Sequence, residues 1–129
     1  AGYTIVNDIS VPHASFYRPQ IRYKARDRSC AIGPRVVARR AVVDPGRLPV
    51  RVYIDGRLAH ENTTSGLIRP VARLLADVSD FMTLLPGDVL MAGVAHGAPK
   101  VRAGQRVAIE IDGLGRLENC FVDPREVAA

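Results

Sequence analysis

The sequence predicts a β-rich α+β fold that contains one main amphipathic helix. Short apolar runs bounded by turn-forming residues recur along the whole chain, whereas a helical spacing of apolar residues occurs in one stretch. Strands and helices therefore do not alternate in the way that a βαβ winding requires. With 129 residues, of which 47% are hydrophobic, the chain is predicted to form a single domain spanning residues 1–129.

The first third of the chain is predicted to hold a strand, a loop and a basic segment. Residues 3–6 form a short β-branched run that is typical of a buried strand and ends at an Asn-Asp pair. Residues 8–20 contain two prolines and no apolar period, which predicts a loop. Residues 21–24 alternate apolar and basic side chains and predict a short strand or a turn. The Ile-Gly-Pro sequence at 32–34 predicts a turn.

The middle of the chain contains the clearest hairpin signal. Residues 50–54 alternate strictly, with their valines and isoleucine on one face. The Asp-Gly pair at 55–56 is typical of a type I′ turn, so residues 57–61 are predicted to return as the second strand. Residues 36–43 mix Val with Arg and predict an irregular edge before this hairpin.

One stretch, residues 67–78, has the spacing of an amphipathic helix. Its apolar side chains recur at intervals of one helical turn, at Leu67, Val71, Leu74, Leu75 and Val78. Ser65 is predicted to be the N-cap, and Pro70 is compatible with the helix because it falls near the first turn. The helix is expected to end around Ser79.

The last third of the chain is predicted to complete the sheet. Residues 89–94 form a continuous apolar run, which is typical of a strand buried on both faces. Residues 101–103 and 107–111 are predicted strands, and the Asp-Gly-Leu-Gly sequence at 112–115 is a predicted turn. Residues 117–122 are expected to form the closing strand.

Composition excludes several classes of function. The net charge is +5, but the basic residues are scattered and only 5% of residues are aromatic, so specific nucleic-acid binding is not expected. Lys24 and Lys100 are the only lysines in an arginine-rich chain, which points to ammonium chemistry at Lys24. Cys30 and Cys120 lack metal-type spacing and predict reduced thiols.

The sequence also predicts where in the cell the protein is found and whether the chain is part of a longer protein. No run of about 18 apolar residues occurs, so no membrane span is expected and a cytoplasmic location is predicted. The sequence starts with Ala-Gly-Tyr directly inside a strand, which predicts that the chain is a piece of a longer protein.

Two charged residues near the first strand are the main candidates for chemistry. Asp8 ends a buried strand, where a carboxylate either caps a turn or binds a cation. Lys24 either forms a local ion pair with Asp27 or holds a substrate carboxylate or enolate oxygen, because a compact ammonium stabilises developing negative charge. The sequence offers no ExE or DxD pair to join Asp8, although a hard divalent ion prefers two or three carboxylates.

Further candidates have equally open alternatives. Arg18 and Arg22 either clamp substrate carboxylates bidentately or lie on the surface. Thr64 either caps the following helix or donates, with nearby backbone N–H groups, to a bound anion. His13 and His96 are expected to be exposed rather than to act as bases.

Five motifs in order make the chain resemble a known family. They are GYTIVNDIS, KARD followed by IGP, Thr-Thr-Ser before the helix, SDFMTLLPGDVLMAG and GQRVAIEIDGLGRLEN. Together they resemble the catalytic half of the fumarylacetoacetate hydrolase family, over essentially the entire chain. The stretch SFYRPQIRYKARDRSCAIG is similar to the isomerase/decarboxylase branch of that family, which acts in 4-hydroxyphenylacetate degradation.

The resemblance implies a compact β-roll, packing as a homo-oligomer or against a second copy of the same fold, and a Mg²⁺ or Mn²⁺ site. Asp8 would be one metal ligand, and the other two carboxylates, an ExE pair, would lie outside this chain. Lys24 would be the catalytic lysine of the family, and Thr64 would be its threonine before the helix. Arg18 and Arg22 remain candidates for substrate binding, together with Thr64.

The implied substrates are 2-oxo or 2-hydroxydienoate di- and tricarboxylates. Enolate stabilisation serves decarboxylation, isomerisation and C–C hydrolysis alike, so the fold does not select the reaction. Metal-assisted decarboxylation or isomerisation in aromatic-compound degradation is the leading prediction. The alternatives are an acylpyruvate-type hydrolase or oxaloacetate decarboxylase of the same family, and a non-catalytic copy that supports an active partner.

Overall fold

Two antiparallel sheets carry most of the ordered secondary structure. The computed structural model describes residues 1–13, 21–94 and 96–123. In chain order the elements are β1 (Gly2–Asp8), α1 (Ile21–Lys24), β2 (Cys30–Ala38), a 3₁₀ helix (Arg39–Ala41), β3 (Pro49–Ile54), β4 (Arg57–Thr63), a 3₁₀ helix (Thr64–Gly66), α2 (Val71–Ser79), β5 (Arg106–Ile111) and β6 (Gly115–Cys120). One sheet pairs β1 with β2, and the other has the order β4-β3-β5-β6. The predicted β-rich α+β fold with one main helix is confirmed.

The hairpin of β3 and β4 has the predicted turn. Asp55 and Gly56 have φ angles of 50° and 79°, as a type I′ turn requires. The Asp55 carboxylate accepts hydrogen bonds from the backbone N–H of Arg106 and from the side chain of Gln105, both at 2.9 Å. These bonds lower the pKa of Asp55, because they stabilise its charged form. The turn is thereby tied to the start of β5, the strand that pairs with β3.

A small apolar cluster joins the two sheets. Ile5 of β1 is only 1% exposed and packs with the buried side chains of Val42, Leu114 and Leu117. Partly buried residues surround this cluster: Tyr3, Ala31, Val37, Leu48, Ile109 and Ile111. Because its members come from both sheets and from the loops beside them, the cluster holds the two-stranded sheet on the four-stranded sheet.

The other face of the four-stranded sheet carries a row of alternating charges. Arg51 lies opposite Glu61 on one side and Glu110 on the other, and Glu110 lies opposite Arg116. The guanidinium of Arg51 contacts Asp112 at 2.8 Å and Glu61 at 3.2 Å, which raises its pKa. Opposite charges on neighbouring strands support the pairing register. Several arginines of this basic chain are therefore engaged with carboxylates of the chain itself.

Two predictions for the first third of the chain are wrong. Residues 21–24 form the single helical turn α1 rather than a strand or a turn, because the N–H of Ala25 donates to the carbonyl of Ile21 at 2.7 Å. Residues 32–34 form no turn but lie within β2, where Gly33 is opposite Ile5 and the Gly33–Pro34 peptide is cis. The predicted irregular edge at 36–43 is regular strand as far as Ala38.

The main helix begins later than predicted. Residues 64–66 form a 3₁₀ helix, and Pro70 rather than Ser65 occupies the N-cap position of α2. Leu67 consequently lies before the helix, because the proline restricts the residue that precedes it to extended conformations. The predicted end at Ser79 is confirmed. No helix that the structure describes is long and apolar enough to cross a membrane.

The predicted strands at 89–94 and 101–103 are wrong. Residues 89–94 have no strand beside them in the described part of the chain, and their large side chains are exposed, from 37% at Leu90 to 76% at Val94. Residues 101–103 lie before a turn at Gly104, so the ladder of β5 starts only at Arg106. The apolar side chains of residues 89–94 therefore do not pack against the two sheets in the part of the chain that the structure describes.

Replacement of Ile5 by Ala tests the role of the cluster between the sheets. Loss of this buried side chain is expected to lower the free energy of unfolding by about 2–5 kcal/mol, because it leaves a cavity between the sheets. Urea denaturation measures the change. Val43→Ala is the matched control: Val43 is fully exposed, and a change within about 0.5 kcal/mol is expected there. Equal losses for the two variants would contradict this description of the core.

Candidate functional site

The structure brings together Asp8 and Lys24, which lie 16 positions apart in sequence. Asp8 is the last residue of β1 and lies opposite Cys30, whereas Lys24 ends α1. The Nζ of Lys24 donates to Oδ2 of Asp8 in an ion pair. The Asp8 side chain is only 16% exposed and that of Lys24 is 50% exposed. The described ion pair of Lys24 is thus with Asp8, not with the neighbouring Asp27.

Backbone contacts hold α1 next to the end of β1. A helix of four residues is not stable by itself, so its position depends on its surroundings. The N–H of Val11 donates to the carbonyl of Tyr23 at 2.9 Å, and the hydroxyl of Ser29 donates to the carbonyl of Lys24 at 3.0 Å. Ser29 is bonded in turn to Ile9, whose N–H donates to the Ser29 carbonyl at 2.9 Å. These bonds keep Lys24 beside the β1 terminus.

Tyr23 was missed as a component of the site. The imidazole of His13 stacks on its ring with centroids 5.0 Å apart, so His13 is half-buried rather than exposed as predicted. The Arg22 guanidinium lies 4.7 Å from the ring centroid and donates to the Tyr23 hydroxyl at 2.6 Å. The only sequence signal was an aromatic residue inside a basic segment. Arg22 therefore lies two residues before Lys24 in α1, with its guanidinium held at an aromatic ring.

Asn7 connects this region to the four-stranded sheet. Its amide Nδ2 donates to Oδ1 of Asn119 in β6 at 3.2 Å. This bond joins residues 112 positions apart and fixes the end of β1 against the last strand. The neighbouring Asp8 is thereby positioned by both sheets.

Thr64 and Arg18 are not brought to the Asp8–Lys24 pair by any described contact. The Thr64 hydroxyl donates to the carbonyl of Pro45 and accepts from the N–H of Leu48, both at 2.8 Å. It therefore anchors the loop before β3 and does not cap α2. Arg18 lies outside the described residues. Substrate-binding roles for Thr64 and Arg18 remain predictions.

A cleft lies beside the edge strand β4. It has a volume of about 1090 Å³, and its polar lining includes His60, Asn62, Arg69 and His96. The Nε2 atom of His60 is buried and has no hydrogen-bond partner among the described residues. His96 is exposed, as predicted. Sequence reasoning did not single out His60, because nothing in its alternating strand distinguishes it.

Asp8 provides only part of a metal site. Carboxylate oxygen is the donor that Mg²⁺ and Mn²⁺ prefer. In the ranges 1–13, 21–94 and 96–123, however, no three His, Cys, Asp or Glu side chains are grouped so as to hold a metal ion. The described residues therefore fit a divalent ion in the type of donor but not in the number, and further ligands would have to come from elsewhere.

Comparison with known proteins identifies what this fold is similar to. Residues 1–122 match the family model "Fumarylacetoacetate (FAA) hydrolase C-terminal". The chain is 42% identical over 124 residues to the 4-hydroxyphenylacetate degradation bifunctional isomerase/decarboxylase of Salmonella dublin, covering 95% of this chain and 29% of the relative. It is 32% identical over 126 residues to the oxaloacetate tautomerase YisK of Bacillus subtilis, covering 92% and 42% respectively.

Solved structures give the same result. Maleylpyruvate hydrolase from Sphingobium sp. SYK-6 superimposes with a TM-score of 0.85 at 30% identity, covering 94% of this chain and 44% of that chain. The same hydrolase in complex with manganese(II) ion and pyruvate has a TM-score of 0.83. The chain thus spans less than half the length of these relatives.

A double-mutant cycle tests the Asp8–Lys24 ion pair. In metal-free buffer, Asp8→Asn and Lys24→Met are expected to show a coupling free energy of about 0.2–1 kcal/mol, since a partly exposed pair is screened by water. Urea denaturation of the four proteins measures it. The matched cycle with Asp27→Asn should give no coupling. Coupling to Asp27 instead of Asp8 would contradict the geometry.

Proposed function

The chain belongs to the fumarylacetoacetate hydrolase family, and from that premise we propose that it forms part of an enzyme that stabilises an enolate. The proposed reaction is metal-assisted decarboxylation or isomerisation of 2-oxo or 2-hydroxydienoate di- and tricarboxylates in aromatic-compound degradation. The observation that carries this proposal is the pairing of Asp8 with Lys24 at the end of β1. It places the ammonium of Lys24 beside the carboxylate of Asp8.

Lys24 is the proposed catalytic residue. Its Nζ carries three donors, and half of its side chain faces solvent, so a substrate oxygen has access to it. Negative charge develops on the 2-oxo oxygen when a C–C or C–H bond at the neighbouring carbon breaks. An ammonium that donates to this oxygen stabilises the enolate more than the neutral ketone, and this difference lowers the barrier.

Asp8 is the proposed ligand for a divalent ion. A bound Mg²⁺ or Mn²⁺ would polarise the 2-oxo acid as a Lewis acid. In the resting arrangement Oδ2 of Asp8 accepts from Lys24, so this carboxylate is already held next to the group that would contact substrate. The manganese(II) and pyruvate complex of the similar hydrolase supports the choice of ion and of a 2-oxo acid.

Arg22 is proposed to bind a second carboxylate of the substrate. It immediately precedes Tyr23 in α1, and the contact with the tyrosine ring restricts where its guanidinium lies. A guanidinium binds carboxylates bidentately, which would orient a dicarboxylate with its 2-oxo end at Lys24. Arg18 is proposed for the same purpose. Thr64 would donate to the substrate only by giving up the hydrogen bond that its hydroxyl donates to Pro45.

A C–C hydrolase is the second candidate. The specific observation in its favour is the TM-score of 0.85 to maleylpyruvate hydrolase. In hydrolysis a water molecule attacks the acyl carbonyl carbon beyond the 2-oxo group. The C–C bond between that carbon and the carbon next to the 2-oxo group then breaks, and its electron pair forms the same enolate, which takes up a proton. The two candidates therefore share Asp8 and Lys24 and differ in whether a water molecule is admitted.

Replacement of Lys24 by Ala tests the catalytic proposal. The assay uses a form of the protein that is active on a 2-oxo dicarboxylate such as oxaloacetate. In that form, Lys24→Ala is expected to lower kcat by about 100-fold or more. The free energy of unfolding should change by less than about 1 kcal/mol, because the ion pair is half exposed. Lys100→Ala, at the other lysine, should leave kcat unchanged. A loss of stability that accounts for the whole loss of activity would instead support a structural role for Lys24.

Replacement of Asp8 by Asn tests the metal proposal. The substitution keeps the size of the side chain but removes its charge, so the affinity for Mn²⁺ should fall at least about tenfold, or about 1.4 kcal/mol. Titration calorimetry with Mn²⁺ alone measures the change without relying on activity. Asp27→Asn is the control and should not alter affinity. Unchanged affinity in the Asp8 variant would rule out a metal-binding role for this residue.

A further inference from the structure

Arg22 and Lys24 leave helix α1 on opposite sides. They lie two residues apart, and consecutive residues of an α-helix are rotated by about 100°, so that side chains with this spacing do not face each other. A fully extended Arg22 side chain would therefore place its guanidinium on the far side of α1 from the ammonium of Lys24. In that arrangement the two cations could not bind the two ends of one small substrate.

Tyr23 redirects the Arg22 side chain towards the side of α1 that Lys24 occupies. Its own side chain leaves the helix between the other two, because it is one residue from each. The Nη2 of Arg22 donates to the Tyr23 hydroxyl at 2.6 Å, and the guanidinium carbon lies 4.7 Å from the centroid of the ring. The guanidinium is thereby held in the sector of the helix surface that lies next to Lys24.

Tyr23 is itself held in place by the chain that follows β1. The imidazole of His13 stacks on its ring, with centroids 5.0 Å apart and an angle of 20° between the planes. The backbone N–H of Val11 donates to the Tyr23 carbonyl at 2.9 Å. Tyr23 is half-buried, whereas Arg22 is exposed. A guanidinium restrained by such a ring remains open to solvent, and it loses less conformational freedom on binding a ligand than an unrestrained one.

The charge of Arg22 is available to a ligand. Other arginines of the chain are engaged by carboxylates, as Arg51 is by Asp112 and Arg106 is by Glu118. In the ranges that the structure describes, the partner of the Arg22 guanidinium is a neutral phenol oxygen instead. Its positive charge is therefore not compensated by this contact, and its other N–H groups can bind a carboxylate bidentately.

We propose that Tyr23 is a positioning residue that determines substrate specificity. Through its hydroxyl it holds Arg22 where the guanidinium binds the second carboxylate of a substrate whose 2-oxo end lies at Lys24. The site then selects 2-oxo dicarboxylates over 2-oxo monocarboxylates of the same size. This inference rests on the proposed function, which brings Lys24 and Arg22 to one substrate.

Two ligands of nearly equal size test this role. 2-Oxoglutarate carries a carboxylate where 2-oxopentanoate carries a methyl group, and their inhibition constants are measured against turnover of oxaloacetate in an active form of the protein. The unsubstituted protein is expected to bind 2-oxoglutarate at least about 10-fold more tightly, because a hydrogen bond to a charged group contributes about that factor.

Tyr23→Phe keeps the ring that stacks on His13 and removes only the hydroxyl. The preference for 2-oxoglutarate should fall below about 3-fold, while the inhibition constant of 2-oxopentanoate changes by less than about 2-fold. Tyr53→Phe is the matched control, since the guanidinium of Arg116 lies 5.2 Å from the centroid of the Tyr53 ring in the four-stranded sheet. It should leave the preference unchanged.

A double-mutant cycle shows whether Tyr23 acts through Arg22. Arg22→Met should abolish the preference for 2-oxoglutarate, and adding Tyr23→Phe to it should cause no further loss. A further loss in the double variant would overturn the proposal, as would an unsubstituted protein without the preference. An unchanged preference in Tyr23→Phe, or equal weakening of both ligands, would also overturn it.

Lys24→Ala distinguishes a failure of this inference from a failure of the proposed function. If Lys24→Ala lowers kcat as expected and Tyr23→Phe leaves the preference unchanged, the specificity role of Tyr23 alone is wrong. If Lys24→Ala retains full kcat, the proposed function is wrong, and the role of Tyr23 at the same substrate is overturned with it.

Discussion

The antiparallel pairing of β1 with β2 is the constraint on which the candidate site depends. It places Ile5 in the cluster between the sheets and Asp8 at the open end of the same strand, three residues further on. The loop that returns from β1 to β2 must therefore pass beside Asp8, and α1 lies within it. The position of the Asp8 carboxylate therefore depends on the packing of Ile5, because both residues belong to the same strand.

The partial exposure of the Asp8–Lys24 pair suits the proposed role. A deeply buried ion pair would resist exchange, because separating it would leave a charge without compensation. Here half of the Lys24 side chain is in water, so transferring its donor from Asp8 to a substrate oxygen exchanges one partly screened contact for another. Hydrogen bonds to the backbone carbonyls of Tyr23, Lys24 and Ser29 keep α1, and with it the ammonium of Lys24, near the end of β1.

Local patterns predicted those features that are determined locally. The Asp-Gly turn of the β3–β4 hairpin follows from the positive φ angles that these two residues tolerate, and the end of α2 follows from its periodicity. Asp8 and Lys24 were singled out as candidates, but their contact depends on the path of the fifteen residues between them, which no local pattern encodes. The structural role of the Thr64 hydroxyl also depends on long-range contacts, here with Pro45 and Leu48.

The error at residues 89–94 has a different origin. A continuous apolar run predicts a buried strand, whereas the described residues place no strand beside residues 89–94 and leave their large side chains exposed. Exposure also matters at Lys24, because an ammonium stabilises an enolate far more strongly when water is excluded than when half of its side chain is solvated. Exclusion of water from Lys24 would therefore strengthen the proposed stabilisation of the enolate.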